Sequence, residues 1–502
     1  MFRRNIVCTS GRMATPLPSE HKGTVGWRRP TFRRKVVTLC IIHGADELPN
    51  TVQLPHITVQ IKMITVEQIA VAGVVGAGGA GFPTHVKLSG KADTVVINAA
   101  ECEPLLHKDK ELILHRTEIV VEGLARAMQL VGATRGVVGI KKKYVHVIDT
   151  LRSKLVTGME IAFLDDAYPS GDEFILVYES LGRVIPPGGI PLAVGVVVMN
   201  VETACNVAVA DTKPVTEKFV SVAGSVEHSC TLRVPLGISL NECIKAAGGV
   251  TIANPAFVVG GAMMGYIEND LSKPVTKTTG GIIVLPQDHF IVQRKLWDWK
   301  KTVRVGRSAC DQCSFCTELC PRNLLGHPIE PHRAMRSLGF NISAQSDVPG
   351  TVFCCECNLC SYCSCPEGLD PKNVCAENKR RLLANKQRWE NPPFRPERAG
   401  QQMLNRKTPT TRLIQKIGLA GYQNKGQLED RLLEVQSVVL PLRQHIGAAC
   451  IPIVQTGNTV QTGQPIAQRP VTDGKPALGA DIHASITGTV TEINQEWIRI
   501  SA

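Results

Sequence analysis

Apolar positions recur at helical spacing over one long stretch, where Leu112, Ile113, Ile119, Val120, Leu124, Met128 and Val131 predict an amphipathic helix from about Lys110 to Val131. Ahead of it, a short helix is expected at Val66–Ala72 and a buried strand at Thr94–Asn98, with a glycine-rich segment between them. Between Phe219 and Gly265 two alternating strands, a helix at Leu240–Ala247 and further strand predict a small β-grasp module. A helix follows at Asn373–Gln387, and from Val439 to Ser501 short strands alternate with glycines, as in a compact β structure. The most apolar run, 189–210, is interrupted by Pro191, Asn200 and Glu202 and reads as buried strand and loop rather than a membrane span. The fold class is therefore α/β and multidomain.

Charge changes this picture at two places. Of the net +12, residues 1–62 carry ten Lys/Arg against three Asp/Glu, so the remaining body is only mildly basic and nucleic acid is not an expected partner. This Arg-rich extension is expected to be poorly ordered, and is read as an artefact of gene-start choice with Met63 as the natural start, in preference to a transit peptide. Residues 372–425 hold thirteen Lys/Arg and three Asp/Glu, with four prolines between 392 and 409. That composition predicts a solvated tether over 386–438, with docking to an acidic partner as the sharper alternative.

Ten of the eighteen cysteines lie between Cys310 and Cys365. Cys310, Cys313, Cys316 and Cys320, followed by Pro321, match the bacterial iron–sulfur spacing C-x2-C-x2-C-x3-C-P, and Cys354, Cys357 and Cys360 repeat the triplet. Two [4Fe–4S] clusters are expected. In two-cluster proteins the cysteine before proline ligates the other cluster. One set is then Cys310, Cys313, Cys316 and a cysteine of the second run; the other is Cys354, Cys357, Cys360 and Cys320. Cys365 is favoured over Cys363 as the remaining ligand because Pro366 follows it. Zinc ribbons use separated pairs rather than triplets, and a long chain with its other cysteines scattered singly has no need of disulfides.

The segment Gly76-Ala-Gly78-Gly79-Ala-Gly81-Phe82-Pro83 contains G-x-G-x-x-G. A dinucleotide helix would have to run through Pro83, and no strand precedes the glycines, so a phosphate-binding loop of another architecture is expected. Asn98, Glu101 and Glu103 follow the strand, and Tyr168, Asp172, Glu173, Asn200 and Thr203 lie in two later segments. Glycines and Lys87 supply donors for a phosphate, while Asn and Thr offer neutral hydrogen bonds suited to an isoalloxazine edge.

These four segments together resemble the flavin-binding subunit of respiratory complex I and its relatives. Within that superfamily, Met63 to about Leu383 is most similar to the cobalamin reductases of propanediol utilisation, with the RnfC proteins of Rnf complexes as near relatives. The resemblance implies that Gly76, Gly78, Gly79 and Lys87 meet the FMN phosphate, that Asn98, Glu101, Tyr168, Asp172, Glu173, Asn200 and Thr203 meet the flavin and ribityl chain, and that Phe82 and Glu103 face NADH. Where the family has an arginine after its first loop glycine, this chain has Ala77. The implied layout is an FMN/NADH domain over 63–215, an SLBB-type β-grasp module over 216–290, a two-cluster ferredoxin-like α-helical domain over 291–385, the linker, and a barrel-sandwich hybrid over 439–502. The hybrid's turn reads Ala484-Ser485-Ile486 where an acceptor lysine would sit, and His483 reads as a surface residue.

The leading functional expectation is an enzyme that passes electrons from NADH through FMN and the clusters to a corrinoid, in coenzyme B12 recycling within a cytoplasmic bacterial microcompartment. Its expected partners are a corrinoid or a corrinoid-handling adenosyltransferase, and a shell protein. A relay component of an Rnf-like complex is the second reading. A non-enzymatic, cluster-bearing scaffold is the third.

Overall fold

A computed structural model describes residues 51–53, 63–339 and 348–502 of the chain. Apart from Thr51–Gln53, which pairs antiparallel with the strand Met159–Leu164, the basic extension lies outside the described residues, as do the expectations about its order.

Thr94–Ala99 is the pivot of the first domain. It pairs in parallel with Arg135–Lys141 on one side and Val196–Asn200 on the other, and Met159–Leu164 extends the sheet beyond Arg135–Lys141. The strand alternates: Val95 and Ile97 enter one apolar layer with Leu112, Ile113 and Leu124, and Val96 the opposite layer with Leu176 and Val177. The long helix spans Lys108–Val131, ended by Gly132 in the left-handed conformation (φ 72°). It packs against the helix Val201–Val209 so closely that a Cβ on Gly123 would stand 2.0 Å from the Ala204 carbonyl oxygen. Strand order reverses at Thr94–Ala99, which opens a crevice at the carboxyl ends of that strand and Val196–Asn200, where ligands bind in open α/β sheets.

The β-grasp module is a six-stranded sheet around the helix Leu240–Ala246, whose start carries a Ser239/Glu242 capping box. Its sixth strand is Gln427–Leu432, parallel to Cys230–Pro235. The expected tether is thereby corrected. Residues 386–438 hold the helices Arg398–Arg406 and Thr410–Lys416, the pair Thr408–Pro409 bonded to Ala167–Tyr168, and this sixth strand. Its lysines and arginines read as linker because few apolar residues mark these elements, yet Met403 and Leu413 are buried and Lys407 bridges Asp165 and Glu179.

In the cysteine-rich domain, helices Trp299–Ala309, Pro331–Ser337 and Pro371–Ala384 close on Met335, Leu338, Val374 and Cys375. The C-terminal domain is built from a four-stranded and a three-stranded sheet, with a small hairpin, Val471–Thr472 paired with Lys475–Pro476. Its apolar side, including Val438, Leu440, Ile466 and Ile498, is continuous with that of the first domain. The Ala484–Ile486 turn is not displayed: the Ser485 hydroxyl donates to the Leu236 carbonyl of the β-grasp module. His483, expected at the surface, is buried beside Lys277 and Asp481. Among the described residues no helix is long and apolar enough to cross a membrane.

Candidate flavin and iron–sulfur site

The glycine loop follows a short helix, Val66–Val71, rather than a strand, and Pro83 sits at the cap of the helix Thr84–Leu88, where its missing N–H costs nothing. The loop closes on itself through the Gly76 N–H, which donates to the Phe82 carbonyl. Its tip, Gly78 to Ala80, is exposed, and a Cβ at Gly79 would meet nothing within 4 Å. A Cβ at Gly78 would stand 2.8 Å from Asn200 Nδ2.

The four sequence segments converge. The Ala77 N–H donates to Thr203 Oγ1 at 3.0 Å, and Asn98 Nδ2 to the Gly171 carbonyl at 2.7 Å. Asn200 caps the helix Val201–Val209 by accepting from the Glu202 N–H, and its Nδ2 donates to Asp109 Oδ2 at 2.7 Å. The Asp109 N–H donates in turn to Glu101 Oε2. Burial, reinforced by Asp109, pushes the Glu101 carboxyl up to about 8. A naked loop tip beside Asn200, Glu101 and Thr203 at the sheet's crevice fits a flavin phosphate and its neutral ring edge.

Other predicted site residues are committed elsewhere. Lys87 donates to the Val198 carbonyl and lies 3.8 Å from Glu173. Both Glu103 oxygens accept, from the Met263 and Met264 N–H groups, and Gly261 is required there because a Cβ would stand 2.5 Å from Glu103 Cδ. Tyr168 is 3% exposed and donates to the Cys357 carbonyl at 2.7 Å. Asp172 caps the helix Glu173–Leu181 and is gripped by both terminal nitrogens of Arg322, whose guanidinium lies 3.7 Å from the Phe174 ring centroid.

Beneath the loop lies a buried charge cluster that the sequence did not reveal. Glu202 Oε2 accepts from Lys108 (2.7 Å) and Lys218 (2.5 Å), and Lys218 also donates to the Ala77 carbonyl. Burial works to raise the Glu202 carboxyl, but the two lysines outweigh it and hold it below the usual range. Burial lowers Lys218 to about 8. The Lys108-Asp109 dipeptide is visible in the sequence; only the fold places Lys218 opposite it.

The two cysteine runs share one backbone. Gln312 and Ser314 flank Cys313 with φ of 62° and 63°, and Glu356 and Asn358 flank Cys357 with φ of 57° and 62°. Left-handed backbone is unfavourable for non-glycine residues, so its recurrence at equivalent positions marks one loop geometry built twice, of the kind that turns N–H groups toward an anionic centre. The thiols near enough to influence Cys316 are Cys365, Cys313 and Cys310; those near Cys360 include Cys354, Cys320 and Cys316. Cys357 has Cys355, Cys360 and Cys320 about it. Cys363 packs with Tyr168, Leu359 and Leu413, and its carbonyl accepts from Lys416. Cys355 lies beside Cys320 and Cys375 beside Cys354; neither neighbour follows from spacing. Among the described residues no three His, Cys, Asp or Glu groups converge on a single-ion site. In a cube each thiolate takes its own iron corner, which asks for wider spacing.

Fold and site define a flavin- and iron–sulfur-binding oxidoreductase of the complex I flavin-subunit type. Residues 69–209 match the Nuo51 FMN-binding domain, 219–267 the SLBB domain, 309–370 the 4Fe-4S dicluster domain, and 422–501 the RnfC barrel sandwich hybrid domain. Cobalamin reductase PduS of Citrobacter freundii is 41% identical over 437 residues, and that of Salmonella typhimurium 42%, each alignment covering 86% of this chain and 95% of the relative. The chain belongs to the PduS cobalamin reductase family. One component of the Na+-translocating ferredoxin:NAD+ oxidoreductase complex of Acetobacterium woodii is 34% identical over 50% of this chain and 56% of its own length. A solved NAD+-reducing [NiFe]-hydrogenase chain aligns at 20% identity over 65% of this chain and 63% of its own, with a TM-score of 0.41.

Proposed function

We propose that the chain is an NADH-dependent reductase that delivers single electrons to a corrinoid, reducing cob(III/II)alamin for coenzyme B12 recycling in propanediol utilisation, with FMN and two [4Fe–4S] clusters as resident cofactors. FMN, when bound, accepts a hydride as an electron pair and releases electrons singly, and the clusters carry them onward. The observation that carries this reading is the bond from Tyr168 to the Cys357 carbonyl, which joins a flavin-site segment directly to a cysteine loop.

Gly78 and Gly79 at the exposed tip offer backbone N–H groups to the phosphate, Gly76 holds the loop closed through its bond to the Phe82 carbonyl, and Lys87, bonded to the Val198 carbonyl, adds positive charge nearby. Asn98, Glu101, Asn200 and Thr203 line the ring side, while Asp172 and Glu173 act from the adjoining helix start. Phe82 borders the NADH side; Glu103, its oxygens taken by Met263 and Met264, shapes that wall. The first cluster falls to Cys310, Cys313, Cys316 and Cys365 and the second to Cys354, Cys357, Cys360 and Cys320, a division supported by the thiol neighbourhoods. Its place is a cytoplasmic microcompartment, with a corrinoid-handling adenosyltransferase and a shell protein as partners.

Anaerobic purification and reconstitution should give iron and sulfide for two cubes and one FMN per chain. Adding NADH and hydroxocobalamin should then change the cobalamin spectrum. Clusters without flavin would overturn the reading, and NADH-reducible clusters that leave cobalamin unchanged would make the chain a relay.

A further inference from the structure

The two cysteine loops differ in what surrounds them. The second is the more enclosed: three of its four assigned thiols, Cys357, Cys360 and Cys320, are buried while Cys354 is partly so, and Tyr168 ties the loop to the flavin domain. The first reaches solvent. Cys310 and Cys313 are partly exposed, Asp311 and Gln312 are exposed, and Phe315, two residues beyond Cys313, is 46% exposed. Cys316 lies near enough to Cys360 for the two sets to adjoin. The first set is therefore the one placed to exchange electrons with something outside the chain.

The surface beside it is strongly basic. The helix Trp299–Ala309, which ends at Cys310, carries Lys300, Lys301, Arg304 and Arg307, all exposed, and no acidic residue. Gly306 lets it pack closely on Met335 and Leu338, which brings exposed Arg336 of the helix Pro331–Ser337 into the same region. Among the described residues none of these five cations has a carboxylate within 4.0 Å; Lys301 lies over the Trp297 ring instead. Asp298 is engaged in capping the helix, accepting from the Lys301 N–H, which leaves Asp311 as an exposed acid at the loop itself. Unpaired like charges held together repel one another and contribute no stability, whereas the same field steers an oppositely charged partner and raises its association rate.

We propose that this basic face is the docking surface for an acidic redox protein, which takes single electrons from the cluster held by the first cysteine run. The proposal rests on the reading of that run as cluster ligands. An electron acceptor, rather than nucleic acid, is the occupant because the exposed redox loop borders the patch, and a nucleic acid has no use for an electron. The step transfers one electron and makes or breaks no bond: the cluster is oxidised and the partner's one-electron centre is reduced.

Two haem proteins of opposite charge serve as probes: acidic cytochrome b5 and basic cytochrome c. The reconstituted protein is reduced with dithionite, the excess is removed, and haem reduction is followed by stopped flow, so that neither NADH nor flavin enters the result. The second-order rate to cytochrome b5 should fall at least about tenfold between about 20 and about 200 mM salt. Lys300→Glu/Arg304→Glu should slow it by a similar factor at low salt, with iron content and cluster EPR signal unchanged, while cytochrome c is spared or accelerated. Equilibrium binding of oxidised cytochrome b5 to the oxidised protein should weaken in the same variant. The milder Lys300→Ala/Arg304→Ala covers loss of folding in the first variant and should show a smaller loss of the same sign. Salt-independent rates, equal losses for both haem proteins, or stoichiometric binding of a short DNA duplex at about 150 mM salt that the variant abolishes would each overturn the proposal. Failure of NADH to reduce the protein would overturn the functional reading and leave this test intact.

Discussion

Arg322 and Asp172 form a charged clasp between the flavin-site segments and the residues just after Cys320, and removing one partner tests whether it couples them. The side chains are 8% and 15% exposed, and the pair is joined by two bonds, the longer 2.9 Å. Arg322→Ala strands a largely buried carboxylate, and breaking such a pair costs about 3–5 kcal/mol. Because Asp172 keeps some solvent contact and retains its bonds to the Phe174 and Ile175 N–H groups, the lower end applies, about 3 kcal/mol or a factor of about 100. Asp172→Asn preserves the cap but strands Arg322, and should cost nearly as much; Asp172→Ala adds about 1 kcal/mol for the lost cap. Arg322→Lys should rescue little, since an ammonium cannot grip two oxygens or stack on Phe174 in the same way. The chain is multidomain, so a single unfolding free energy is ill defined. Hydrogen exchange of peptides 172–181 and 320–326 in the reconstituted protein measures the local opening instead. Loss of protection in both peptides by about two orders of magnitude is expected. A change below about threefold in peptide 172–181, or a change confined to peptide 320–326, would refute the coupling.

Cys365→Ser should lose about half the iron and sulfide while Cys363→Ser keeps both, because Cys363 lies against Tyr168 and Leu413 rather than in the first thiol set. Loss from Cys363→Ser alone would reverse that assignment. Gly123→Ala drives a methyl into the Ala204 carbonyl and should destabilise the flavin domain by about 1–3 kcal/mol, read as a fall in its melting temperature. Burial lowers His483 from 6.5 to about 4 and keeps it neutral in the folded chain. Its contribution is therefore complete above pH 6.5 and is lost as pH falls toward 4. His483→Phe should flatten the fall in melting temperature across that window, and an unchanged slope would show that the histidine does not contribute.

The cysteine runs were legible because ligand spacing is local: three ligands fall within seven residues, and a sequence records that directly. The glycine loop was legible for the same reason. What spacing cannot record is the partner of a side chain. Tyr168 and Asp172 were grouped with the flavin and Glu103 with NADH by their segments, yet each closes on a residue 150 or more positions away: Cys357, Arg322 and the Met263–Met264 backbone. Residues 386–438 were misread for a related reason. Strand Gln427–Leu432 is mostly exposed and polar, so it lacks alternation, and its place is set by backbone bonds to Cys230–Pro235. Buried Lys218 and Lys277 look like surface lysines in the sequence, because only tertiary structure supplies the carbonyls and carboxylate that hold them.

Lys277 also gives the C-terminal hybrid domain a task. Its ammonium donates to the Gly73 and Asp481 carbonyls, both at 2.7 Å, joining the β-grasp module to the stem of the glycine loop and to the hybrid. At the loop's far end the Ile446 N–H donates to the Gly81 carbonyl, and a Cβ on Gly81 would stand 2.7 Å from Thr278 Cγ2 and 3.2 Å from His445 Cα. Both ends of the loop are thus clamped by elements some 200 and 365 or more residues away, while its tip stays open. Here the hybrid domain buries its turn and holds the glycine loop in shape. Lys277→Met keeps the volume but leaves two buried carbonyls without their donor, at about 1–3 kcal/mol each. That cost falls on the loop's stem and not on the cysteine runs, so flavin should dissociate more readily while iron and sulfide per chain stay the same. Equal loss of flavin and iron would mean that the substitution unfolds the chain generally, and flavin retained at wild-type affinity would mean that the clamp does not shape the loop.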